Sequence, residues 1–128
     1  MNIKKFTLSI LLLIVIAYLS LMPTTNVSNI KLFHHQDKII HMLMYLILSL
    51  SILYGFYKQI KLNKYYKIIT VLTAGIYGIL LEFCQILFTS NRQGEILDSL
   101  ANIIGAILSI IIFNILINLH LIKKRVKN

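Results

Sequence analysis

The chain has 128 residues, is 58% hydrophobic and has a mean hydropathy of +0.81. A water-soluble domain of that size is excluded, because most of its residues would still face water. Thirteen Lys and Arg against four acids give a net charge of +9, but the basic residues flank apolar runs, where anionic lipid headgroups lie. No separate basic stripe exists, so no nucleic-acid partner is expected.

Four apolar runs occupy residues 6–22, 39–57, 66–88 and 98–121. Each approaches or exceeds the roughly 20 helical residues that cross about 30 Å of hydrocarbon, and each is far longer than a barrel strand of about 9–11 residues. The expected fold is all-α: a membrane-spanning four-helix bundle forming one domain over residues 1–128. The first run, from Phe6 to Met22, follows Lys4 and Lys5. It exceeds the apolar core of a signal peptide and no small-x-small cleavage site follows it, so an uncleaved helix is expected. "MPTTNVSN" then reads as a helix end and a loop. The single cysteine, Cys84, falls in the third run, which rules out a disulfide within the chain.

Lysine and arginine set the expected orientation. With the N-terminus in the cytoplasm, ten basic residues lie inside: Lys4, Lys5, Lys58, Lys61, Lys64, Lys67, Lys123, Lys124, Arg125 and Lys127. Three lie outside: Lys31, Lys38 and Arg92. The connections are short, the regime in which the positive-inside rule holds, so both termini are expected in the cytoplasm.

In that topology all four acids, Asp37, Glu82, Glu95 and Asp98, fall on the outer half. Acids at helix starts and in outer loops are ordinary. Glu82 is not, because it lies about 9 Å inside the third helix at 1.5 Å per residue. A charge there costs a few kcal/mol, so it should face the bundle or a water-filled cavity and have a partner. Helical spacing offers partners. Asp37 and His41 are four apart, with Tyr45 one turn further in. Glu82 and Gln85 share a side with Gly78 and Gly75; Asp98 and Asn102 share one with Gly105 and Ser109. The glycines are expected to allow close helix packing. Arg92, between the third and fourth helices, can lean over the cluster.

"DKIIHMLMY", "GILLEFCQ", an arginine and "DSLANIIG" occur in this order between Asp37 and Gly105, about half the chain. The set resembles the VanZ-like family of small bacterial membrane proteins, whose pattern is Asp-Lys-x-x-His, then Glu-x-x-Gln, then Arg and Asp-x-x-x-Asn-x-x-Gly. The resemblance implies a bacterial plasma-membrane protein of the cell envelope, related to one associated with resistance to the glycopeptide teicoplanin. It implies a site rather than a reaction. Gln93-Gly94-Glu95 reads as a variable connection, and Glu95 is left outside the site.

Plainer readings stand beside these. Asp37 and Asp98 suit helix N-caps. Asn102 and Gln85 suit interhelical hydrogen bonds, and Tyr45 suits packing. His34 and His35 fit a wet loop; with His41 they would offer imidazoles to zinc, but no helical His-Glu-x-x-His spacing is present, so no metal and no cofactor are expected. A purely structural network could be built from Ser, Thr and Asn, so using Glu, His, Asp and Arg together points to ionisation and function.

Two function classes follow. In the enzyme reading, His41, Glu82 and Asp98 are catalytic: His41 is a general acid or base oriented by Asp37 or Asp98, and Glu82 is the complementary group. Lys38 and Arg92 hold a phosphate or carboxylate, and Asp37, Gln85 and Asn102 complete the binding set. The partners at that depth are membrane lipids or lipid-linked envelope precursors. In the second reading the same cluster binds without chemistry or serves a small proton-coupled carrier. Four helices are few for a carrier, which a homodimer would remedy. No charged path continues through the third and fourth helices, which favours a one-sided site.

Overall fold

A computed structural model describes residues 2–22, 36–59, 63–88 and 95–126, with side chains as far as His120. Among them are four long helices: α1 (Thr7–Leu21), preceded by a 3₁₀ turn at Ile3–Phe6, α2 (Gln36–Tyr57), α3 (Lys64–Phe88) and α4 (Ile96–Val126). There is no strand among the described residues. All four helices, counting the 3₁₀ turn with α1, are long and apolar enough to cross a membrane.

The ends follow local chemistry. Asn63 starts α3, its Oδ1 accepting from the backbone N–H of Tyr65 at 3.0 Å and of Tyr66 at 3.4 Å. Met22 closes α1 in an extended conformation (φ −66°, ψ 131°), the bias of a residue that precedes proline. Helices α2 and α4 begin three and two residues earlier than expected from the apolar runs. Asp37 and Asp98 therefore lie inside first turns and cap neither helix. The N-cap reading is corrected for both, and their carboxylates are left for other helices.

Cross-helix contacts fix the directions. Asp98 meets Lys38, Asn102 meets His41 and Phe113 stacks edge-on to Tyr57, so α4 runs parallel to α2. Glu82 meets His41 while Tyr66 packs on Phe56, so α3 runs antiparallel to them. Ser9 meets Ser51 and Phe6 packs on Phe56, so α1 also opposes α2. The most extensive pairing is α2 with α4. Gly105 makes it possible, because a Cβ there would collide with the Met42 backbone carbonyl. Such backbone approach is the role of small residues between membrane helices.

Helix α1 is held on the outside of this core. Phe6 fills the space over Gly55, the Tyr77 hydroxyl donates to the Leu13 carbonyl at 2.6 Å, and Gln85 Nε2 donates to the Ser20 carbonyl at 2.9 Å. Leu11, Ile14, Tyr18, Ile76, Ile79, Phe83, Ile104, Ile107 and Ile111 are exposed on the bundle exterior, which suits a lipid surround.

Candidate functional site at one end of the bundle

The site lies where α2 and α4 begin and α3 ends. Lys38, in the first turn of α2, directs its ammonium at three carboxylates: Glu95 Oε2 at 2.7 Å, Asp98 Oδ1 at 3.1 Å and Asp37 Oδ2 at 3.2 Å. Asp37 and Glu95 are half exposed, whereas Asp98 is buried. The Lys38–Asp98 pair is therefore the least screened of the three. Lys38 was expected to hold a substrate anion; instead its charge is already shared among three acids.

One turn deeper, His41 Nδ1 faces two oxygens, Asn102 Oδ1 at 3.2 Å and Glu82 Oε1 at 3.7 Å. Glu82 is 6% exposed and Asn102 only 1%. This resolves the sequence puzzle of Glu82: it points into the bundle, toward a histidine, as the cost of a charge in hydrocarbon requires. Tyr45, one turn below His41, is also 1% exposed. Among the described residues neither the Tyr45 hydroxyl nor Asn102 Nδ2 has a hydrogen-bond partner. Both crowd Gly78, one turn from Glu82: a Cβ there would lie 2.8 Å from Asn102 Nδ2 and 3.2 Å from Tyr45 Cε1. Gly78 is thus the clearance that lets these two side chains reach α3.

Six of the expected site residues come together: Asp37, Lys38, His41, Glu82, Asp98 and Asn102. Gln85 is turned toward α1 through its bond to Ser20. Arg92, like His34 and His35, lies outside the described residues. Glu95 joins the cluster although the sequence reading left it out. The signal was its position three residues ahead of Asp98, a spacing that brings side chains to one face of a helical turn.

The charges give the site a sign. Four carboxylates converge with one lysine and one histidine, so among the described residues the negative charge is in excess. Toward the opposite end the helices carry Lys4, Lys5, Lys58, Lys64 and Lys67, and the Lys67 ammonium bonds Asn114 Oδ1 at 2.8 Å. Buried polar groups between the two ends are mostly hydroxyls, of which Thr70 and Ser109 turn back onto their own helix carbonyls.

Lys38→Met is expected to lower the stability of the detergent-purified protein by about 1.5–3 kcal/mol, the range for hydrogen bonds to charged groups. Asp37→Asn should cost under about 1 kcal/mol, because that pair is half exposed. Thermal unfolding of the two variants checks the order. Equal losses would mean that Lys38 does not bridge the three acids.

No protein-family model matches this chain, and no curated protein and no solved structure is significantly similar to it.

Proposed function

We propose that this chain is a multi-pass protein of a bacterial plasma membrane, with both termini in the cytoplasm, whose polar site faces outward. There it acts on the headgroup of a lipid or of a lipid-linked envelope precursor. The observation that carries the reading is the His41–Glu82 contact at 3.7 Å, buried beside Asn102 at one end of the bundle. The pair is an ion-pair contact rather than a hydrogen bond, and a bound group or one water between the two would bring a histidine and a carboxylate into the proton-transfer reach that acid–base work needs. Asn102 orients the imidazole through Nδ1. Asp98, which pairs with Lys38, has a carboxylate oxygen within 4.8 Å of the ligand atoms of both His41 and Glu82.

The orientation rests on the bias of lysine and arginine, ten toward the end that carries Lys4, Lys5, Lys58, Lys64 and Lys67 against three toward the other. The resemblance of the motif order to the VanZ-like family extends the proposal to a role in glycopeptide susceptibility. A carrier is less well supported, since the polar groups between the ends are hydroxyls without a second acid or histidine.

Two measurements test this. Cysteine-accessibility labelling of intact cells should mark substitutions at Ser28 and Gln93 and spare one at Asn63. Labelling only at Asn63 would turn the site to the cytoplasm and remove outer-leaflet substrates. Mass spectrometry of lipid co-purifying with the protein should then show a headgroup or lipid-linked precursor enriched over bulk lipid, and lost in His41→Ala.

A further inference from the structure

We propose that His41, Glu82 and Asp98, with Asn102 beside them, bind a divalent transition-metal ion of the zinc class. The inference concerns the site of the proposed function and departs from the sequence expectation of no metal. One ligand atom from each of His41, Glu82 and Asp98 lies within 4.8 Å of the other two, although the three residues come from three different helices. Around His41 Nδ1 the spacings are 3.7 Å to Glu82 Oε1 and 3.2 Å to Asn102 Oδ1. Tetrahedral zinc with bonds of about 2.0–2.1 Å separates its ligand atoms by about 3.3 Å. The His41, Glu82 and Asn102 atoms are therefore close to coordination spacing, and Asp98 lies within 4.8 Å, before any ion draws them in. One imidazole with oxygen donors suits zinc, manganese or iron better than magnesium or calcium, which take oxygen alone.

The neighbouring acids show what such a cluster asks for. Asp37, Glu95 and Asp98 also form a group within 4.8 Å, and there the ammonium of Lys38 serves as the shared cation. Asp98 belongs to both groups, so it bridges the built-in cation and the proposed metal. The deeper group carries a histidine where the outer one has a third acid, and a nitrogen donor is what distinguishes a transition-metal site from a generic acidic patch.

A second observation points to a ligand independently of the acids. The Tyr45 hydroxyl and Asn102 Nδ2, on side chains only 1% exposed, have no partner among the described residues. Asn102 Nδ2 and the Tyr45 ring edge at Cε1 both approach Gly78, one turn from Glu82. Buried donors call for an acceptor. An oxygen carried on the metal, from water or from a headgroup, would accept from them.

The test uses the full chain purified in detergent, stripped with EDTA and titrated with Zn²⁺. The expected result is one retained equivalent by elemental analysis after gel filtration, with a rise in unfolding temperature that the same concentration of Mg²⁺ does not produce. His41→Ala, Glu82→Gln and Asp98→Asn should each weaken Zn²⁺ binding at least about tenfold, since even outer-shell losses cost 10–100-fold. His120→Ala, at the far end of α4, and a His34→Ala/His35→Ala double variant should bind like wild type. Each variant is compared at equal monodispersity and helical content, and Asp98→Asn keeps the shape of the side chain. Failure of wild type to retain Zn²⁺, or retention undiminished in the three ligand variants, overturns the metal site. Loss of cellular function in Glu82→Gln without any Zn²⁺ binding would sink the metal and leave the acid–base reading standing. Zn²⁺ retention by wild type that is weakened in Glu82→Gln, while that variant keeps full cellular function, would sink the acid–base reading and leave the metal site standing.

Discussion

Glu82→Gln is expected to reduce function to that of cells lacking the protein, while its abundance in the membrane is unchanged. The substitution keeps the length of the side chain and a carbonyl oxygen that His41 Nδ1 can face, now 3.7 Å from Glu82 Oε1. It removes the ability to take or give a proton. If the pair performs acid–base chemistry, the loss is on the order of 10²–10⁴ in rate. The fold should tolerate the change, because a buried ionisable group is replaced by a neutral one that still accepts a hydrogen bond. Glycopeptide susceptibility or envelope-stress reporting, read beside immunoblots of membrane fractions, gives both quantities. Asn102→Ala provides the contrast: it deletes a nearly fully buried side chain that bonds His41 and borders Gly78, so abundance and function should fall together. Wild-type behaviour of Glu82→Gln in every assay would reduce Glu82 to a neutral interhelical hydrogen-bonding group and remove the functional claim.

Gly105→Leu should have the largest effect on folding. A Cβ at Gly105 already meets the Met42 carbonyl, and it would also lie 3.1 Å from Leu46 N. These are backbone atoms, which cannot swing away as a side chain can. Even Gly105→Ala forces α2 and α4 apart, with a cost of about 1–3 kcal/mol for overpacking. The leucine variant should leave little folded protein. Gly75→Ala is the matched control, because its nearest neighbour is Ile103 Cγ1 at 3.5 Å, an ordinary contact. It should express and unfold like wild type. Loss of both proteins to the same degree would show that the α2–α4 approach is no tighter than the α3–α4 one. The site depends on the same approach. The α2–α4 pairing puts Asp98 beside Lys38 and Asn102 beside His41, so Gly105→Ala should also weaken Zn²⁺ binding.

Much of this was legible in the linear chain. Helix number and type follow from apolar runs too long for strands, because backbone groups in hydrocarbon must be satisfied within the segment. The depth of Glu82 is set by counting residues, and its inward direction by the cost of a charge in lipid. His41 and Asp37, or Asp98 and Asn102, are neighbours because four residues make about one helical turn. These are local properties, fixed by the period of one helix, and so they can be read without knowing what packs where.

Contacts between helices were decided only by the tertiary structure. Gly75, Gly78 and Gly105 look alike as small residues on polar stripes, yet one meets a side chain at ordinary distance, one clears two buried side chains and one meets backbone. Gln85 lies one turn from Glu82 and was grouped with it, but α1 supplies the Ser20 carbonyl and draws its amide away. Lys38 looked like an anion-binding residue until Glu95, Asp98 and Asp37 surrounded it. Asp37 and Asp98 looked like caps because the apolar pattern starts after them, while the helices themselves start before. The physical reason is common to all of these. A side chain's periodicity says which face it occupies, but its partner is chosen by the rotation and depth at which the next helix docks, and that is set by packing between residues far apart in the chain.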